Sequence, residues 1–326
     1  MKRFWPLLVA VLINWWSGAT VWAQSSYPNR PVNLVVPYPA GNAADIIARI
    51  VASRLQTDLG QPFVVINRPG AAGTIGTASV AHAAPDGYTL LVTSPSNITI
   101  APWLGRNLDY DPQRDFVAVT GIGRGPFALL VNNDIPVKST AELVDYVRKR
   151  PGALNYGSFG PGSLSHLAME LLRQTLKIDL QHVPYQGSGS AQSDLIAGRV
   201  QLLFDSLTAA SGRLSGGDAK VLALSTNTRH PMAPNVPTIA ESGIPELATY
   251  DVAGWVGILA PTGTPPEIVN SLSSSVSKAM DTLGPTIVDR GMERFSLGPR
   301  PFEAYLAQES AKWRETIQRT TVDWRK

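Results

Sequence analysis

Cysteine is absent from all 326 residues. That excludes disulfide staples, thiolate nucleophiles and thiolate metal sites. The four histidines, His82, His166, His182 and His230, lack metal-ligand spacing, so neither a metal nor another cofactor is expected. Charge is sparse as well, with Asp, Glu, Lys and Arg making up 16% of the chain. No basic cluster occurs, which argues against a nucleic-acid partner. Long apolar runs are missing except at the start, where Lys2 and Arg3 precede an apolar stretch from Phe4 to about Val21. Val21 and Ala23 are the small residues that a signal peptidase requires, so residues 1–23 read as a cleaved secretory signal with Gln24 as the first mature residue. A membrane anchor of about 20 residues is the other reading; Asn14, Ser17 and Gly18 interrupt it. The lack of a cysteine after the cleavage site excludes a lipoprotein anchor. Without Lys2 and Arg3, 26 basic side chains face 25 acidic ones, a net charge of +1.

The remaining chain, 326 residues less 23, is longer than one core usually supports, and two domains are expected. The first third alternates strand and helix. "VNLVVP" (32–37), "FVVIN" (63–67) and "YTLLVTS" (88–94) read as strands. Their near-continuous apolar character suits a sheet buried on both faces. "ADIIARIVASRLQTDL" (44–59) reads as an amphipathic helix, with Ile47, Ile50, Val51 and Leu55 on one side and Gly60 at its C-cap. A short helix follows "RPGAAGTIG" and runs to about Ala83. The middle third repeats the style, with "PFALLVNN" a strand and "TAELVDYVRKR" a helix capped by Ser139 or Thr140. "AGWVGILAP" (253–261) reads as a strand returning to the first domain. Ile268, Leu272, Val276 and Met280 make a helix stripe after Pro265 and Pro266, and Phe302, Tyr305, Leu306, Trp313 and Ile317 mark a final helix. The expected fold is therefore two doubly wound α/β domains. Residues 24–127 and 254–326 form the first and 128–253 the second, with hinges near Leu129–Val131 and Gly254–Ile258.

Six strand-to-helix junctions are rich in Gly, Ser, Thr, Asn and Pro: 38–45, 67–76, 93–99, 157–165, 186–191 and 205–211. In an open parallel sheet, ligands bind at such carboxyl ends. Helix N-termini there carry partial positive charge and unpaired N–H groups. The set describes a site for an anionic group that uses few cationic side chains. Tight turns are the plainer reading of any single loop. A phosphate loop is rejected, because "PGAAGTIG" lacks the lysine of G-x-x-x-x-G-K-[ST] and "AGNAAD" lacks G-x-G-x-x-G. Hydrolysis by Ser163 or Ser165 with His166 has only sequence adjacency behind it, without a G-x-S-x-G elbow, so no catalytic residue is assigned. Asp45, in a first helical turn, is either a helix-dipole partner or a ligand contact. Asp205, ending "QLLFD", either meets a ligand donor or braces the opposite loop.

Taken in order, "PYPAGNAADIIAR", "INRPGAAGTIG", "APDGYTLL", "LNYGSFGPGSLSH", "HVPYQGSGSAQSDLIAGRVQLLFD" and "VPTIAESGIP" resemble the extracytoplasmic substrate-binding proteins of tripartite tricarboxylate transporters, the Bug family. The resemblance runs from about Tyr27 to the final helix. It implies a periplasmic, type II-like Venus-flytrap binding protein rather than an enzyme. The implied partners are a small carboxylate ligand and membrane permease subunits, and the receptor is expected to be a monomer. Carried over by motif, the ligand contacts would be Tyr38, Ala40, Gly41, Asn42 and Asp45, then Ala72, Gly73 and Thr74, then Ser94 and Asn97. The second domain would add Ser158, Gly160, Gly162, Ser163, His166, Tyr185 and Asp205. The family commonly has a second glycine where this chain has Asn42, which predicts a changed ligand size or an extra hydrogen bond. Phe159 and Pro161 are bulkier or stiffer than the usual small polar residues. A periplasmic sensor without a dedicated transporter is the alternative within the binding class, and a Ser/His hydrolase the alternative among enzymes.

Overall fold

The computed structural model describes residues 27–105, 107–214 and 216–319. The expected secretory signal lies outside them. In chain order the elements are β1 (Val32–Val36), α1 (Ala43–Leu59), β2 (Phe63–Asn67), α2 (Thr74–Ala81), β3 (Thr89–Thr93), β4 (Phe116–Val131), α3 (Thr140–Arg148), β5 (Asn155–Ser158), α4 (Leu164–Leu176), β6 (Gln181–Pro184), α5 (Ser188–Ile196), β7 (Leu202–Ser206), α6 (Leu207–Leu214), β8 (Lys220–Leu224), β9 (Ala253–Pro261), α7 (Pro266–Val288), β10 (Glu293–Arg294) and α8 (Pro299–Arg319). Among the described residues no helix is long and apolar enough to cross a membrane.

The first helix shows how local sequence fixes these elements. Asn42 caps it, its Oδ1 accepting the Asp45 N–H at 2.9 Å. Ile47, Val51 and Leu55 recur at helical spacing and are fully buried. Gly60 ends it in the left-handed region at φ 69°, its N–H bonded to the Gln56 carbonyl.

The 16-residue strand β4 organises both domains. Its first part, Phe116–Pro126, pairs antiparallel with β9; its last part, Phe127–Val131, pairs antiparallel with β7. The sheet order in the first domain is β2-β1-β3-β9-β4-β10, and in the second β6-β5-β7-β4-β8. In each domain three parallel strands, ordered second-first-third, are followed by an antiparallel strand, β9 in the first and the far end of β4 in the second. The expected pair of doubly wound α/β domains is thus built around a shared strand. "PFALLVNN" is only its far end. The first part, "FVAVTGIGRG", carries no apolar alternation because Gly121 and Gly125 face a backbone that passes too close for side chains. A Cβ on Gly121 would sit 2.8 Å from the Phe295 carbonyl oxygen, and one on Gly125 2.5 Å from that of Gly291.

The chain crosses between domains at Pro126–Phe127 and again at Val252–Ala253, beside the strands expected as hinges. Ser225 ties the crossings together. Its hydroxyl donates to the Val252 carbonyl and accepts the Phe127 N–H at 2.8 Å. Helix α8, expected with the first domain, is shared. Phe302 packs in the first-domain core with Trp255 and Leu259, whereas Trp313 and Ile317 pack with Leu129 and Leu167 in the second.

Candidate functional site

A cavity of about 550 Å³ opens where the strand ends of the two domains face each other. Helices α1, α2, α4, α5 and α6 all begin at its wall. Among the described residues that wall contains no Lys, Arg or His.

The first-domain side starts with Pro37, Tyr38 and Pro39, which lead from β1 to the cap of α1. Asn42, Ala43 and Ala44 line the cavity. The N–H groups of Ala43 and Ala44 are the unpaired donors that any helix start leaves, and neither has an acceptor among the described residues. Asp45 does not reach the wall. Its Oδ2 accepts the Gly41 N–H at 2.9 Å, and its Oδ1 meets Asn67 and Arg49, each at 2.9 Å. Burial pushes the Asp45 carboxyl up, but hydrogen bonds from Arg49, Gly41 and Asn67 outweigh it and hold the group below the ordinary carboxylate value. Asp45 therefore braces the turn, with Ala40 and Gly41 on the outer, exposed side.

The second loop is strained. Gly70, Ala71, Ala72 and Gly73 all have positive φ, at 136°, 46°, 53° and 97°. For the two alanines this costs about 1–2 kcal/mol each. The conformation leaves the N–H groups of Ala71 and Ala72 without an acceptor among the described residues and holds both residues, with Gly73, at the wall. Strain of this kind persists where the surroundings enforce it and is characteristic of binding sites. Thr74 stands behind, its hydroxyl donating to the Ala71 carbonyl at 3.0 Å.

In the third loop Ser94 lines the wall and donates to the Tyr38 hydroxyl at 2.7 Å, which donates in turn to Asn97 Oδ1 at 2.6 Å. Asn97 is fully buried behind Tyr38, where it also bonds Thr93 and Thr77, and fixes the phenol in place. Pro95 and Ser96 of this loop reach the cavity beside Ser94, and Ser96 brings a hydroxyl there. The Ser96 hydroxyl accepts the Leu164 N–H from the second domain at 3.2 Å. The sequence offers Ser94, Ser96 and Asn97 alike; the wide turn over Ser96–Ile100 decides which of them faces inward.

On the second-domain side Gly160, Ser163 and Tyr185 line the wall, as does Asp205. Ser163 caps α4: its hydroxyl donates to the Gly160 carbonyl at 2.7 Å and accepts the His166 backbone N–H at 3.3 Å. The His166 ring is not turned toward that hydroxyl. Its Nδ1 accepts the Gly162 N–H at 3.2 Å, and the ring stacks on His182 with centroids 3.9 Å apart. Ser158 is fully buried, within 2.6 Å of His182 Nε2, and accepts the Gly160 N–H at 3.2 Å. Ser158, Gly162 and His166 thus lie in the layer behind the wall and shape the 158–166 turn. The Tyr185 hydroxyl donates to Asp194 at 2.8 Å, and burial together with that carboxylate pushes the phenol up to about 12.

Asp205 is the acidic residue at the wall. It is fully buried, and its Oδ2 accepts from Ser188 and from Gln192. Burial without a cation pushes its carboxyl up to about 6 although those donors pull it down. Phe127, Phe159, Leu164, Val256 and Met292 complete the wall near the domain crossing. Met292 and Val256 belong to no strand-to-helix junction, so loop composition gave no sign of them. The domains touch at the cavity wall, where Pro39 lies 2.9 Å from the position a Cβ on Gly187 would take, and again behind it, where Leu104 packs on Gly162.

A family model described as the tripartite tricarboxylate transporter family receptor, TctC, matches residues 47–322. An R. palustris protein solved with adipate is 37% identical, with a TM-score of 0.87 over 90% of this chain and 97% of that one. MatC from Rhodopseudomonas palustris, solved with bound malate, is 33% identical, with a TM-score of 0.83 over 89% of this chain and 100% of that one. The periplasmic binding protein BugD is 33% identical, with a TM-score of 0.84 over 90% and 98%.

Proposed function

The chain belongs to the TctC family, the receptors of tripartite tricarboxylate transporters, and from that premise we propose that it is a non-enzymatic periplasmic receptor for a small organic carboxylate. It closes two domains on the acid and presents it to the membrane subunits of such a transporter, acting as a monomer. The observation that carries this reading is the convergence of five helix starts on one cavity whose described wall holds no cationic side chain. Main-chain N–H groups of Ala43, Ala44, Ala71 and Ala72 seat the carboxylate, with Asn42 Nδ2 and the Ser96 hydroxyl as further donors. Exclusion of water on closure strengthens each of these bonds. Relatives solved with adipate and malate agree with a carboxylate guest. The Ser163 hydroxyl and the His166 ring each bond elsewhere, which favours binding over hydrolysis.

Thermal unfolding against a panel of mono- and dicarboxylates tests the proposal. An acid present at a hundred times its Kd stabilises the native chain by about 2.7 kcal/mol, which raises the melting temperature, and every acid is recovered chemically unchanged. A flat response to the whole panel, or consumption of any acid, overturns the reading.

A further inference from the structure

We propose that the acid held here is a monocarboxylate with a ring-bearing apolar body, selected by Phe127 and Phe159; this rests on the carboxylate-receptor reading above. The hydrogen-bond capacity of the two walls is unequal. The first domain offers the uncommitted N–H groups of Ala43, Ala44, Ala71 and Ala72 at the wall. A carboxylate has two oxygens and about four acceptor sites, so this set satisfies one such group. On the second-domain side the donors around α4 and beside Asp205 are committed within the protein, whereas the start of α5 has no side-chain cap. Gly160 N–H bonds Ser158, Leu164 N–H bonds Ser96, the Ser163 hydroxyl bonds the Gly160 carbonyl, the Ser188 hydroxyl bonds Asp205, and Tyr185 bonds Asp194. The charged group on that wall is Asp205, a carboxylate with no cation at the wall to offset it. A second anionic end on the guest would meet repulsion from Asp205.

Apolar surface occupies the remaining space. Phe127, Phe159, Leu164, Val256 and Met292 come together there. The Phe127 and Phe159 rings lie 6.5 Å apart, tilted by 40°, within the range in which a third ring can pack edge-to-face or offset against either. The sulfur of Met292 makes a favourable neighbour for a ring edge. Gly254 lets the Phe127 ring lie flat on the crossing strand, since a Cβ there would stand 2.9 Å from its Cε2. The cavity of about 550 Å³ is large enough for a carboxylate joined to one phenyl ring.

Titration calorimetry on the purified chain with 3-phenylpropanoate, hexanoate, adipate and malate decides the matter. 3-Phenylpropanoate is expected to bind at least tenfold tighter than adipate or malate, with a negative heat-capacity change from buried apolar surface. Phe159→Ala should weaken 3-phenylpropanoate about tenfold, or ~1.4 kcal/mol, and narrow its advantage over adipate. Should that variant fail to fold, Phe159→Leu keeps the apolar volume, removes the ring, and should still erase the preference over hexanoate. Equal or tighter binding of adipate or malate overturns this inference while leaving the receptor reading intact. Hexanoate matching 3-phenylpropanoate overturns the ring requirement. Failure of every acid to bind overturns both.

Discussion

Replacing Asp205 by Asn isolates the energetic cost of a buried carboxyl. Asp205, the penultimate residue of β7, has no exposure to water, and its Oδ2 is bonded to Ser188 and Gln192. Its carboxyl titrates at about 6, against an ordinary 3.8, because burial disfavours the charged form. The folded state therefore holds the proton more tightly than the unfolded chain does. The resulting stabilisation is complete below pH 3.8 and is lost as pH rises through about 6. At 1.36 kcal/mol for each tenfold change in acidity, the loss by pH 7.5 is about 3 kcal/mol. Asn cannot ionise, fills the same space, and offers an oxygen to the same two donors. Asp205→Asn should unfold at higher urea than the parent at pH 7.5, by up to ~3 kcal/mol, and the difference should vanish near pH 4. Other titrating groups, such as the buried Glu309 whose carboxyl is also raised by burial, are common to both chains and cancel in the comparison. A difference that stays constant from pH 4 to 7.5, or a variant less stable at the higher pH, would refute the reasoning.

Two further perturbations probe the frame around the cavity. Gly162 has φ 77°, and the site of its missing Cβ is filled by Leu104 from across the interface; Gly162→Ala should hold the domains apart, reduce carboxylate affinity at least tenfold and enlarge the radius of gyration in solution scattering, and unchanged affinity would contradict the closed contact. Glu170 is buried under Tyr156 and Arg173, and although burial raises its carboxyl, the bonds from those two residues hold it below 4.5. Glu170→Gln should therefore lose about 2–3 kcal/mol at pH 7 in urea unfolding. That gap should close as pH falls below 4.5, because the protonated parent loses the same stabilisation.

Where residues obey one period, the fold could be read from the sequence. Helix α1 and strand β9 fall where spacing and caps put them, since their apolar residues face a single core. The first part of β4 escaped because its glycines answer to a neighbouring backbone rather than to a pleat. The bridging role of α8 escaped because a helix stripe shows that a face is buried without showing against what. The same limit applies to the cavity. Loop composition located the strand ends, and Tyr38, Asn42, Ala72, Ser94, Gly160 and Asp205 do line the wall. It could not say which way each side chain turns. Asp45, Asn97 and His166 carry the most distinctive chemistry in their loops, yet their polar atoms are bonded within the turns behind the wall. Ser96 and Met292, unremarkable as letters, reach it because a wide turn and a segment after α7 deliver them there.

The two domains divide the work of recognition unequally. The first domain keeps its helix starts open: Asn42 caps α1 through the Asp45 N–H, the N–H groups of Ala43 and Ala44 are left free, and two alanines are held in a strained turn to free two more. In the second domain the start of α4 is closed by Ser163 and by Ser96 of the first domain, and that of α6 by Ser206. An anion can then be seated before closure, on donors that need no rearrangement. Closure adds mainly walls, which exclude water and test the shape of whatever is attached to the headgroup. Dipoles suit this arrangement better than a lysine or arginine would. A fixed cation at the cavity would attract any anion, and its own desolvation cost would oppose closure whenever the guest was absent. Backbone donors bind strongly only while water is excluded, so that parting the domains would both expose the acid and weaken its grip.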